Sequence, residues 1–151
     1  MKLAALFGAD RVLRLRAGGK DAVLAELSRL AAAQLGVPPA AISGPLNARE
    51  RLGSTGVGAG VALPHARLPG LAAPVGFFAR LDRPVDWTAI DGKPVDLICL
   101  LLSPPDGADA HLMALAAVTR RLRQPAIVQA LRAAADARKM FHVLIDAENG
   151  A

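Results

Sequence analysis

His65 closes the run GSTGVGAGVALPH, in which glycine stands at 53, 56, 58 and 60 and Pro64 fixes the backbone directly ahead of the imidazole. A neutral imidazole is a competent nucleophile or base when one ring nitrogen carries the proton and the other presents its lone pair. Backbone that lacks side chains lets a ligand come close to such a ring, and it can turn N–H groups outward toward a negative charge. The pattern points to an anion site built around a histidine.

Two established phosphate loops do not fit these glycines. A Walker-type loop places Lys and Ser or Thr directly after its last glycine, where this chain has Val61 and Ala62. The dinucleotide fingerprint needs a long helix behind its glycines, whereas Val61 to Leu63 reads as a short strand. The other polar candidates are few. His111 falls in the first turn of a predicted helix after Asp109, where the positive end of the dipole disfavours imidazolium and favours a nearby anion. In Ala48-Arg49-Glu50-Arg51 a guanidinium can grip a phosphoryl group through paired N–H donors, and spacing alone does not choose between Arg49 and Arg51. His142 reads as a structural or surface residue. No HExxH, CxxC or close His pair supports a zinc site from the three histidines. Cys99, within VDLICLLL, reads as a small buried hydrophobe.

The elements that must position these residues follow from periodicity and punctuation. Arg11 to Arg16 alternates as a strand with one buried face, and Gly18-Gly19 ends it. Lys20 to Leu35 carries Val23, Leu24, Leu27, Leu30, Ala31 and Leu35 at helical spacing, stopped by Gly36 and Pro38-Pro39. A shorter helix is expected over Pro45 to Leu52, with proline in its first turn. Strands are expected over Val61 to Leu63, Val75 to Leu81 and Val95 to Leu102, the last an almost continuous apolar run covered on both faces, ended by Ser103-Pro104-Pro105. A helix capped by Asp109 should bury Leu112, Leu115, Ala116, Thr119 and Leu122. Two more follow, from Gln124-Pro125 to about Ala133 and from Asp136 to about Leu144. The fold class is α/β: one domain over 1–151, a mixed β-sheet flanked by helices.

Composition narrows the functions. With 151 residues, 53% of them hydrophobic, the chain is long enough for one substantial core. No stretch reaches the roughly 18 to 20 apolar residues of a membrane span. The run Leu3 to Phe7 is shorter than a secretory apolar region, so a cytoplasmic protein without membrane insertion is expected. The net charge of +5 has only Arg120-Arg121-Leu122-Arg123 as a basic cluster, spaced like a solvated helix face, and aromatic residues are 3% with no tyrosine. Nucleic acid is not an expected partner.

Taken together, RERLGSTGVGAGVALPHAR (Arg49 to Arg67), IDGKPVDL (Ile90 to Leu97), LLLSP (Leu100 to Pro104) and AHL (Ala110 to Leu112) resemble the enzyme IIA proteins of the bacterial phosphoenolpyruvate-dependent phosphotransferase system, in the fructose, mannitol and nitrogen-regulatory branch. The resemblance covers nearly the whole chain and implies that branch's fold. It implies that His65 accepts a phosphoryl group from a histidine-containing phosphocarrier protein, that Arg49 is the arginine beside it, and that His111 is the second active-site histidine. Ser54, Thr55, Gly56, Gly58 and Gly60 would support the phosphoryl loop, and no cofactor or metal is implied. Arg51 and Ser103 stand where the family varies. With no membrane domain in the chain, the nitrogen-regulatory type is expected, acting on targets such as kinases or potassium-transport components according to phosphorylation state. The alternatives are a soluble IIA partner of a separate fructose- or mannitol-type permease, and a binding module independent of phosphorylation.

Overall fold

The computed structural model describes residues 2–146; Met1 and 147–151 of the expected domain lie outside the described residues. The chain runs α1 (Leu3–Leu6), a 3-10 turn (Ala9–Arg11), β1 (Val12–Leu15), α2 (Lys20–Leu35), α3 (Ala40–Arg51), β2 (Gly56–Gly58), β3 (Val61–Ala62), β4 (His65–Arg67), β5 (Val75–Val85), β6 (Val95–Ser103), α4 (Ala108–Leu122), α5 (Pro125–Ala133) and α6 (Ala137–Ile145). The sheet has the order β1-β5-β6-β3-β2, and β4 also pairs with β6. It is mixed: β1/β5, β3/β6 and β4/β6 are parallel, whereas β5/β6 and β2/β3 are antiparallel.

The apolar run of β6 places it at the centre, because a strand without polar alternation needs cover on both faces. Ile98, Leu100 and Leu102 pack with α2, α3 and Trp87, while Leu97, Cys99 and Leu101 pack with α1, α4, α5 and α6. Two helical layers therefore enclose the sheet. Burial pushes the Cys99 thiol well above its ordinary range. The helix α2 matches its expected span and buries Val23, Leu24 and Leu27, each side chain contributing about 1.5–3 kcal/mol.

Several elements depart from expectation. The helix α3 starts at Ala40, so Pro45 lies inside it rather than in its first turn. Proline there removes one ladder hydrogen bond, but Ile42 and Leu46 are fully buried on the same helix and hold it against the core. In α4, Gly107 is the N-cap and Asp109 lies in the first turn; the buried face is His111, Ala114, Val118, Arg121 and Leu122. Of the expected stripe Leu122 is buried, while Leu112 is 61% exposed. Nor is the arginine cluster wholly solvated: buried Arg121 donates to the carbonyls of Val143 and Asp146, fixing the end of α6. No helix among the described residues is long and apolar enough to cross a membrane.

The segment that carries His65 runs along one edge of β6 in two pieces. β3 pairs Val61 and Ala62 with Leu97 and Ile98, and β4 pairs His65 to Arg67 with Leu101 to Ser103. Between them Pro64 has no N–H to give, yet its carbonyl still accepts from Leu101 N–H at 3.0 Å. The interruption frees the carbonyl of Leu63 to face the imidazole that follows.

Candidate active site

Three chain segments converge at the end of β6. Arg49 comes from the last turn of α3, His65 from the first residue of β4, and His111 from the first turn of α4. The link between β6 and α4 is short, which returns His111 to the end of the strand it has just left, and the His65 and His111 ring centres lie 5.5 Å apart with planes tilted by 53°.

The His65 ring has its proton placed by two partners. Its Nδ1 lies 2.9 Å from the carbonyl oxygen of Leu63, and Arg49 Nε donates to its Nε2 at 3.3 Å. A carbonyl oxygen only accepts and a guanidinium only donates, so the neutral ring must carry its proton on Nδ1 and present its lone pair on Nε2. Arg49 is itself held by a second donation, from Nη1 to the carbonyl of Gly53 at 2.8 Å. Arg51 lies on an exposed face, and Arg49 is the arginine that reaches the ring.

His111 is buried, and its Nδ1 lies 2.6 Å from Ser103 Oγ. Burial foremost, then the charge of Arg67 and the neighbouring His65 ring, lower its pKa below the ordinary imidazole value, so the neutral ring is favoured. The backbone of Arg67 is registered against Ser103, and its guanidinium donates to the carbonyl of Pro104 at 2.9 Å.

The residues after Gly53 are drawn into a separate, mostly buried network. Glu50 accepts from both the backbone N–H and the hydroxyl of Thr55, and pairs with Lys20 Nζ at 2.8 Å. Trp87 Nε1 donates to the Thr55 hydroxyl at 3.2 Å, while Ser54 Oγ donates to the Trp87 carbonyl at 2.7 Å and accepts from Gly56 N–H at 3.0 Å.

Beyond this the glycines build the β2/β3 hairpin. A Cβ on Gly56 would lie 2.7 Å from that of Ala89, so only glycine fits. Gly60 has φ +80 and sits under the guanidinium of Arg132, which grips Asp96 through Nε and Nη2 and the carbonyl of Ala59 through Nη2. Gly58 faces the Asp91 carboxylate, whose pKa is lowered by the N–H groups of Ala59 and then Lys93.

Arg49, His65 and His111 are thus brought together, while Ser54 and Thr55 brace the loop and Gly56, Gly58 and Gly60 shape its hairpin. His142 is exposed on α6, beside Phe141. The contributions of Lys20, Trp87 and Ser103 are not visible in the sequence, because their partners lie elsewhere in the chain or depend on how α4 is rotated. The apolar side chains of Leu52, Leu112 and Met113, within two residues of Arg51 or His111, are exposed at 85%, 61% and 53%.

Residues 6–147 match the family described as phosphoenolpyruvate-dependent sugar phosphotransferase system, EIIA 2. The chain is 46% identical over 130 residues to a nitrogen regulatory protein of Bradyrhizobium diazoefficiens, covering 86% of this chain and 85% of that one. It is similar to the crystal structure of nitrogen regulatory protein IIA-Ntr from Neisseria meningitidis, with a TM-score of 0.87, 34% identity, and coverage of 94% and 98% of the two chains. The fold is shared with IIA mannitol from Escherichia coli at a TM-score of 0.74 and 17% identity, over 91% and 98% of the chains.

Proposed function

The chain belongs to the EIIA 2 family of the phosphoenolpyruvate-dependent sugar phosphotransferase system, and from that premise we propose that it accepts a phosphoryl group on Nε2 of His65 from a histidine-containing phosphocarrier and acts on regulatory targets according to its phosphorylation state. The observation that carries this reading is the fixed tautomer of His65, proton toward Leu63 and lone pair beside Arg49.

In the step itself, the Nε2 lone pair forms the new N–P bond as the donor's own N–P bond breaks, and those electrons return to the donor's ring nitrogen. The proton stays on His65 Nδ1, donated to the Leu63 carbonyl, which stabilises the positive charge the ring gains. Once the lone pair is used, the Arg49 Nε–H that had pointed at it turns to a phosphoryl oxygen. Phosphoryl transfer spreads charge over the equatorial oxygens, so catalysis here is positioning plus electrostatic stabilisation by Arg49 and an N–H of neutral His111. The loop amides of Thr55, Gly56 and Ala59 already donate to Glu50, Ser54 and Asp91, so the loop acts as a scaffold that fixes the approach to the ring.

The regulatory role is supported by relatives named nitrogen regulatory protein that are 38–46% identical over most of the chain. The test is incubation with phosphoenolpyruvate, enzyme I and the phosphocarrier. One acid-labile phosphate per chain is expected, absent from His65→Ala; phosphate uptake by that variant at the wild-type level refutes the assignment.

A further inference from the structure

Ser103 ends β6 fully buried, with its backbone fixed by the pairing to Arg67 and by its carbonyl, which accepts from Leu68 N–H at 2.8 Å. The freedom left to it is rotation of the hydroxyl, whose oxygen lies 2.6 Å from His111 Nδ1. A hydroxyl both donates and accepts, so this contact fits either neutral tautomer of the ring. With the proton on Nδ1, His111 would donate to Ser103 and keep a lone pair on Nε2. Two rings 5.5 Å apart would then both present lone pairs, and His111 would have no N–H for an arriving phosphoryl oxygen. With Ser103 donating into Nδ1, the proton is held on Nε2 and the ring becomes a neutral N–H donor.

We propose that Ser103 is a positioning residue that donates its hydroxyl hydrogen to His111 Nδ1 and so fixes His111 in the Nε2–H tautomer, opposite to that of His65. The proposal rests on the reading of His65 as phosphoryl acceptor. The two rings are set by chemically different neighbours: an acceptor-only carbonyl puts the proton of His65 on Nδ1, and a buried hydroxyl puts that of His111 on Nε2. One ring then supplies the nucleophile and the other a hydrogen bond to the group being transferred. Burial of His111 keeps it neutral, which this arrangement needs, since imidazolium would donate from both nitrogens and force Ser103 to accept.

Nitrogen NMR of the imidazoles in isotope-labelled protein, at a pH of about 7.5, above the ordinary imidazole range, reads both tautomers without any phosphate present. His65 is expected as Nδ1–H and His111 as Nε2–H. Ser103→Ala should take His111 out of the single Nε2–H form and slow phosphoryl uptake about tenfold, as losing a residue that orients an imidazole does, while leaving KM for the phosphocarrier unchanged. Ser103→Thr, which keeps the hydroxyl, should restore both. Wild-type His111 protonated on Nδ1, or an alanine variant whose His111 spectrum and uptake rate equal those of wild type, overturns the proposal. If the alanine variant does not fold, the wild-type spectrum decides alone. Failure of wild-type protein to take up phosphate would refute the acceptor reading and leave the tautomer assignment readable.

Discussion

Glu50 takes the backbone N–H and the hydroxyl of Thr55 with its two carboxylate oxygens, and it does so one residue away from the arginine that meets His65. Its side chain is 8% exposed, and Lys20 supplies the opposite charge from α2. The glycine-rich loop is therefore anchored at its root, where backbone freedom would otherwise be greatest.

Removing that anchor should cost stability. Glu50→Ala leaves the Thr55 N–H and Lys20 Nζ without their carboxylate, and because Lys20 keeps some solvent contact the expected loss is about 2 kcal/mol rather than the full cost of an orphaned buried charge. Urea denaturation measures it; an unchanged midpoint would mean that the loop does not depend on Glu50.

Arg49 uses separate nitrogens for separate tasks, Nε for His65 and Nη1 for the Gly53 carbonyl. Arg49→Ala is expected to slow phosphoryl uptake by about 10²–10³, the usual effect of losing one donor to developing charge. Arg49→Lys should recover little of this, since a point-charge ammonium cannot hold both directions. Single-turnover rates at saturating phosphocarrier distinguish the two, and a lysine variant as fast as wild type would reduce the role to charge alone.

His111 gives the fold a pH dependence of definite sign. Its pKa is lowered in the native state from the ordinary 6.5, so below that value the unfolded chain binds more protons than the folded one. Its contribution to stability is complete above 6.5 and is lost as pH falls through the lowered native value. Denaturation midpoints between roughly pH 7 and pH 5 should fall for wild type and fall less steeply for His111→Gln; parallel curves would show that His111 does not couple to folding.

Leu112 and Leu52 expose apolar surface next to the site residues rather than burying it. On the proposed function they are contacts for the phosphocarrier. Leu112→Asp should raise KM for the donor by about tenfold or more, the scale of one good interface contact, with little change in kcat or thermal stability. A variant that lost kcat and kept KM would place Leu112 in the chemistry rather than in docking.

Much of this was legible in the sequence where a signal was local. α2 runs Lys20–Leu35 as its spacing and Gly36 require, and β6 sits centrally as its apolar run requires. The face of α4 was not legible, because hydrophobicity and burial part company there: Leu112 and Met113 are apolar yet exposed, whereas His111 and Arg121 are polar yet buried. A periodicity argument assumes that every apolar residue goes inward, and it chooses the wrong stripe when some face the rim of a site. The Pro64-His65 junction drew notice from residue type alone, but Leu63 as the partner of Nδ1 required the break between β3 and β4. Spacing left Arg49 and Arg51 open and the family resemblance named Arg49, but its contact with His65 needed the orientation of α3 against β4, and Arg132 and Ala89 lie too far along the chain from Gly60 and Gly56 for spacing to connect them.

The carbonyl of Leu63 accepts from His65 Nδ1 on the side of the ring away from Nε2, so on the proposed function it keeps the same proton before and after phosphoryl transfer. The two states would then keep that tether and differ on the outer side of the ring, at Nε2 and the Arg49 guanidinium. A target that distinguishes them has to touch that side, which is also where the donor must dock. On that reading donor and target would be mutually exclusive occupants of one molecule, and a chain engaged with its target would be withdrawn from phosphoryl traffic until it is released.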